Sequence, residues 1–184
     1  MRWDELFADL EAQFDAEEDA QRSGEVSDRT RRETARLHLL DRLCGSVGTD
    51  MKASVQGVGA IAGRLIDVGC DWLLLQGDGA REALVPISAV LLVHGLRPES
   101  ASADIRGRVV GRLDVRYALR ALARDRAAVI VALIDGARVS GTVARVGADF
   151  LELAEHPVDE ACRLGQVRRW ATVPLAALAV VWRG

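Results

Sequence analysis

Thirteen residues of this chain recur with the same pattern. Gly63-Arg-Leu-Ile-Asp-Val-Gly-Cys-Asp-Trp-Leu-Leu-Leu75 aligns with Gly141-Thr-Val-Ala-Arg-Val-Gly-Ala-Asp-Phe-Leu-Glu-Leu153, with six identical positions, while Leu65/Val143 and Trp72/Phe150 each exchange one apolar side chain for another. A second block follows, Leu84-Val-Pro-Ile-Ser-Ala-Val-Leu-Leu-Val93 against Thr172-Val-Pro-Leu-Ala-Ala-Leu-Ala-Val-Val181. Segments that share glycines, alternating apolar positions and a Val-Pro corner are built for the same local structure. The spacing therefore predicts one β-rich unit present twice.

The strand pattern is clearest in the second copy. An apolar run over 128–134 meets a turn at Asp135-Gly136, and Val139, Gly141 and Val143 then alternate before Leu151 and Leu153 return on the same face. In the first copy Gly77-Asp78-Gly79 separates Leu73–Leu75 from Leu84-Val85 as a hairpin signal. Short strands in a meander bent at glycine bury little as a flat sheet, so each unit is expected to curl into a small barrel. A helix over about 115–125, capped by Asp114, precedes the second copy. Another precedes the first: Thr30-x-x-Glu33 fits a capping box, Ala35, Leu37, Leu40, Leu43 and Cys44 form its apolar side, and Gly45 and Gly48 end it.

Leu133-x-Asp135-Gly136-x-x-Val139-x-Gly141-x-Val143-x-x-Val146-x-x-Asp149-x-x-Glu152-Leu153 resembles the first signature of Sm-like (LSm, Hfq-type) small barrels. Val55, Ile61, Gly63, Leu65, Val68, Asp71 and Leu75 stand for the same features in the first copy. The resemblance implies a mainly β chain with helices (α+β): two tandem five-stranded Sm-like or SH3-like barrels over 28–96 and 113–184, each led by a helix and joined by 97–112. The chain departs from the family at Gly69 and Gly147, where the signature aspartate stands, and at Val85-Pro86-Ile87 and Val173-Pro174-Leu175, where a basic residue and glycine stand. The resemblance thus implies the barrel and does not carry over the RNA site.

Residues 1–25 hold nine acidic and two basic side chains, a net charge of −7, so the remainder carries +4 to reach the chain total of −3. Trp3, Leu6, Phe7, Leu10 and Phe14 fall at helical spacing there, which predicts an acidic amphipathic helix. Its candidate docking face is Trp3, Phe7, Leu10 and Phe14, set against its own domain or a groove of another protein.

Four arginines, Arg112, Arg116, Arg120 and Arg124, recur at intervals of four. The last three share one side of the 115–125 helix, a geometry that attracts phosphate, an acidic partner such as the N-terminal helix, or only solvent. Of 24 basic residues 23 are arginine, with Lys52 alone, and this bias together with abundant alanine fits a GC-rich bacterial genome and weakens the inference from arginine to nucleic acid. Trp72 and Leu74, opposite Phe150 and Glu152 in the repeat, put two large apolar groups on an outward strand face. That face needs cover from a helix, the other unit or a second chain. Between 155 and 170 the second copy has ten extra residues, either a specificity loop or a tolerated insertion.

Constellations for catalysis do not emerge. His38, His94 and His156 lie in dissimilar contexts, and Cys44, Cys70 and Cys162 form no Cys-x-x-Cys pair, so neither a zinc site nor a disulfide framework is expected. Gly57-x-Gly59-x-x-x-Gly63 reads as strand bending rather than a phosphate loop. Asp71 and Asp149 read as turn residues that accept backbone N–H groups. With no apolar run of membrane-spanning length and no leader-like start, the chain is expected in the cytoplasm, without a membrane role or cofactor. The expected function is a non-enzymatic protein-interaction or scaffold module, bound to a protein partner or to itself, with Arg112, Arg116, Arg120, Arg124, Trp72 and Leu74 as candidate partner-binding residues. The alternative is an RNA- or DNA-binding regulator using the same arginines.

Overall fold

The computed structural model describes residues 31, 34–77, 79, 81–97, 113–157 and 169–183. Residues 1–38 and 39–184 form separate compact units. In the first, the described residues make two turn hydrogen bonds, from the Ala35 N–H to the Arg31 carbonyl (2.9 Å) and from the Leu37 N–H to the Thr34 carbonyl (3.1 Å). The expected N-terminal helix with Trp3, Phe7, Leu10 and Phe14, the Thr30-x-x-Glu33 box, Arg112 and most of the 155–170 loop lie outside the described residues.

The second unit is mostly β. It opens with helix α1 (Leu39–Gly45), continues through strands β1 (Asp50–Val55), β2 (Gly59–Val68), β3 (Trp72–Gln76), β4 (Glu82–Pro86) and β5 (Val90–His94), and then enters helix α2 (Val115–Arg124). Strands β6 (Ala128–Leu133), β7 (Arg138–Val146), β8 (Phe150–Glu155), β9 (Arg169–Pro174) and β10 (Leu178–Arg183) complete it. A short 3-10 turn follows Pro86 at Ile87–Ala89 and Pro174 at Leu175–Ala177.

All ten strands belong to one antiparallel sheet in the order β5-β1-β2-β3-β4-β10-β6-β7-β8-β9. This overturns the expectation of two tandem five-stranded Sm-like or SH3-like barrels, each led by its own helix behind an N-terminal helix. The sheet is open, and α1 and α2 are the α-helices that accompany it among the described residues of this unit. Each set of five strands does form where the glycines and the alternation predict. What the local pattern leaves open is the partner of the last edge: β10 gives one edge to β6 and the other to β4, so hydrogen bonding runs on from the first set into the second instead of closing either.

The two sets correspond pair by pair. Ala53 faces Ile61 as Val131 faces Val139, and Ala53 faces Val93 as Val131 faces Val181. Leu73 faces Val85 as Leu151 faces Val173, and the ladders slip between Leu65 and Asp67 and between Val143 and Arg145. Shared glycines have shared causes. A Cβ at Gly63 or Gly141 would strike the carbonyl of the neighbouring strand at Gln76 or Ala154, and one at Gly69 or Gly147 would enter the ring of Trp72 or Phe150. Glycine is kept where a backbone or an aromatic ring comes too close for any side chain.

Two apolar clusters fill the fold, and each takes residues from the other set. The first gathers Leu43, Met51, Val55, Leu65, Leu73, Leu75 and Val85 with Ala132, Ala179 and Val180 of the second set. The second gathers Leu119, Val129, Val131, Val143, Leu151 and Leu153 with Trp72 and Leu84 of the first. Each buried Leu or Val contributes about 1.5–3 kcal/mol, so the exchange couples the stability of the two sets.

Candidate functional site

Helix α2 is where several of the predicted site residues meet. Its N-cap is Asp114, whose Oδ1 accepts the Tyr117 N–H at 3.0 Å, and the sequence reading of this helix and cap agrees with the structure. Val115 and Leu119 face inward with Ala118, Leu122 and Ala123 around them, and they pack on Trp72, Leu74 and Leu84. The outward face that needs cover therefore has it within the chain: Trp72 is 5 % exposed and its indole N–H donates to the Leu113 carbonyl at 3.0 Å. A small groove of about 150 Å³ remains between Leu74, Leu84, Ala118 and Leu122.

Of the arginine row, Arg116 is tied down. Its guanidinium pairs with Asp114 and reaches the Ala148 carbonyl at 3.4 Å. This contact, with the Tyr117 N–H and the nearby Arg120, holds the Asp114 carboxyl below the usual carboxylate range. Arg120 and Arg124 are exposed and make no salt bridge among the described residues. The structure brings Arg116, Trp72 and Leu74 to one helix and its bed, while Arg120 and Arg124 stand on the solvent side.

Beside the α2 N-terminus lies a cleft of about 560 Å³ where the two sets join, lined by Cys70, Asp71, Ser88, Asp114, Arg116 and Leu175 among others. Asp71 does accept a backbone N–H, though from Val115 (2.7 Å), the first residue of α2, rather than within its own hairpin. The main-chain carbonyls of Asp71 and Asp149 take the N–H groups of Ile87 (2.8 Å) and Leu175 (2.7 Å), which pins both 3-10 turns. Partial desolvation, then the charges of Asp71 and Asp114, push the Cys70 thiol up. A protonated thiol is a poor nucleophile.

His156 is 3 % exposed with both ring nitrogens engaged: Nδ1 lies 2.7 Å from the Pro157 carbonyl and Nε2 lies 2.8 Å from Thr142 Oγ1. A carbonyl only accepts, so Nδ1 carries the proton, and Nε2 shares a hydrogen bond with the Thr142 hydroxyl. No ring nitrogen is left for a metal or a substrate. Among the described residues no three His, Cys, Asp or Glu side chains gather in a metal-holding group. No helix among them is long and apolar enough to cross a membrane.

Among the described residues, the most exposed large apolar groups lie elsewhere, on the two outer strands. Leu91 and Leu92 of β5 are 65 % and 52 % exposed, and Trp170 of β9 is 63 % exposed. These positions were missed in the sequence because exposure on a strand depends on whether its edge finds a partner. The repeat held the signal: Leu91 and Leu92 align with Ala179 and Val180, both 0 % exposed. No protein-family model matches this chain, and no curated protein is detectably similar to it.

Proposed function

We propose that this protein is a non-enzymatic interaction or scaffold module, acting in the cytoplasm through the edges of its sheet. The observation that carries this reading is the apolar character of both outer strands, with Leu91, Leu92 and Trp170 exposed beside backbone groups that pair on one side only among the described residues. An unpaired edge with apolar side chains is a template for a further strand. The protonated Cys70 thiol and the fully engaged His156 ring weigh against a nucleophile or general base at those positions. Cys70 carries no disulfide, which suits a reducing compartment.

The test is capture of protein by the immobilised chain, compared with Leu91→Glu/Leu92→Glu and with Trp170→Glu. Loss of capture in an edge variant that keeps its fold supports the reading. Equal capture by all three, or by none, removes it.

A second reading rests on Arg120 and Arg124, exposed on α2 without a salt bridge among the described residues. They can contact phosphates, which makes an RNA- or DNA-binding regulator the alternative. Titration with mixed RNA and with duplex DNA at two salt concentrations decides it. Binding that weakens with salt, and is lost in Arg120→Glu/Arg124→Glu, would establish this reading in place of the first.

A further inference from the structure

Where β4 meets β10, the chain displays how its own edges mate. Val181 lies opposite Leu84, Trp182 opposite Ala83 and Arg183 opposite Glu82. β10 is the outer strand of the second set and β4 the outer strand of the first, on opposite sides of their sets. The strands that correspond to them, β5 and β9, are the two outer strands of the whole sheet, with β5 paired to β1 and β9 paired to β8. Among the described residues, one chain therefore carries both halves of this joint unused, one at each end of its sheet.

We infer that copies of this chain join head to tail, β5 of one pairing with β9 of the next as β10 pairs with β4. The inference rests on the interaction-module reading and specifies its partner. The internal joint also gives the register. Val93 takes the place of Val181 and Thr172 that of Leu84, so these two face each other. His94 then faces Ala171, and Gly95 faces Trp170. An aromatic ring opposite an edge glycine is a favourable cross-strand arrangement.

Exposure along the two pairs of strands supports the same partner. Ala179 and Val180 are fully buried because they pack into the core of the first set across the joint. Leu91 and Leu92, their counterparts, are more than half exposed and have no such core to enter among the described residues. In the next copy that core is the one beneath β8 and β9. Leu84, buried at the joint, corresponds to Thr172, which is exposed. Because the two mating surfaces differ, the contact is heterologous, and repetition yields a ring or a filament according to the rotation at each joint.

Two half-blocked variants test this. Leu91→Glu/Leu92→Glu disables β5 and leaves β9 intact, while Trp170→Glu/Thr172→Glu disables β9 and leaves β5 intact. All four positions are exposed, so the fold of the single chain should persist, checked by circular dichroism and by the urea midpoint. Light scattering across a concentration series should give the wild type a mass above the 19.9 kDa of one chain. Each variant alone should be monomeric, and an equal mixture should give a species of twice the monomer mass and nothing larger.

A monomeric wild type overturns the proposal without recourse to any variant. Self-association of either variant alone also overturns it, because it reveals a symmetric contact. So does a mixture that stays monomeric. Where the wild type is monomeric yet captures another protein through the same edges, head-to-tail pairing falls and the interaction reading stands. Loss of both removes both.

Discussion

β5 and β10 end their sets of five strands with corresponding residues, yet their surroundings are opposite. β10 sits between β6 and β4 with its first four residues buried, whereas β5 has β1 on one side and carries Leu91 and Leu92 in solvent. The apolar content of the two strands is similar. What differs is the neighbour, which shows that burial on a strand of this protein is decided by edge pairing rather than by the hydrophobicity of the strand.

The sharpest way to break this comparison is to put a charge at the same place in both strands. Val180→Asp buries a carboxylate without a partner and should cost about 3–5 kcal/mol, enough to unfold a marginal domain. Leu92→Asp should change the stability of the single chain by less than about 0.5 kcal/mol. Urea denaturation of both variants is the check. A comparable loss for the two would mean that β5 is packed in the monomer and that the contrast is false.

The next contrast is between Trp72 and Phe150, which fill equivalent positions beside equivalent glycines. Trp72 lies under α2 with its indole hydrogen bonded, while Phe150 is only half-buried. Trp72→Ala should cost about 3–5 kcal/mol and Phe150→Ala about 1–2 kcal/mol. Thermal unfolding orders them, and a reversed order would show that α2 does not supply the cover attributed to it.

The smallest expected effect concerns the start of α2. Replacing Asp114 with Ala removes the cap and should cost about 1 kcal/mol at neutral pH. Its folded carboxyl titrates below the unfolded value of about 3.9, so its ionic contribution is complete above that pH. That contribution is lost as the pH falls through the lower folded value. Asp114→Asn keeps a capping oxygen and removes the charge, so its deficit relative to wild type should shrink over the same acid range. A deficit that stays constant with pH would assign the effect to the cap alone.

Much of the local structure was legible in the sequence, because its causes are local. The glycines at 63, 69, 141 and 147 mark close approaches, Asp114 marks the start of α2, and alternation marks the strands. Exposure of Trp72 and Leu74 could not be judged from their strand, since the helix that covers them begins some forty residues later in the chain. Closure into two barrels failed as an expectation for a related reason: it required knowing that β4 would be met by β10, a pairing across the whole second set. The candidate surface at Leu91, Leu92 and Trp170 was hidden by that same unknown. Among the arginines, the spacing identified a shared side of α2 but not that Asp114 would hold Arg116.

The position of β10 also bears on how this protein is made. Of the ten strands it is the last to be synthesised, yet it lies in the interior of the sheet. A nascent chain that has already formed β1 to β4 must keep the outer edge of β4 unpaired until the entire second set has left the ribosome. During that interval the edge is open to any other extended chain. Slow translation or a truncated message would lengthen the interval, and aggregation of such fragments would begin at Leu84 and Val85.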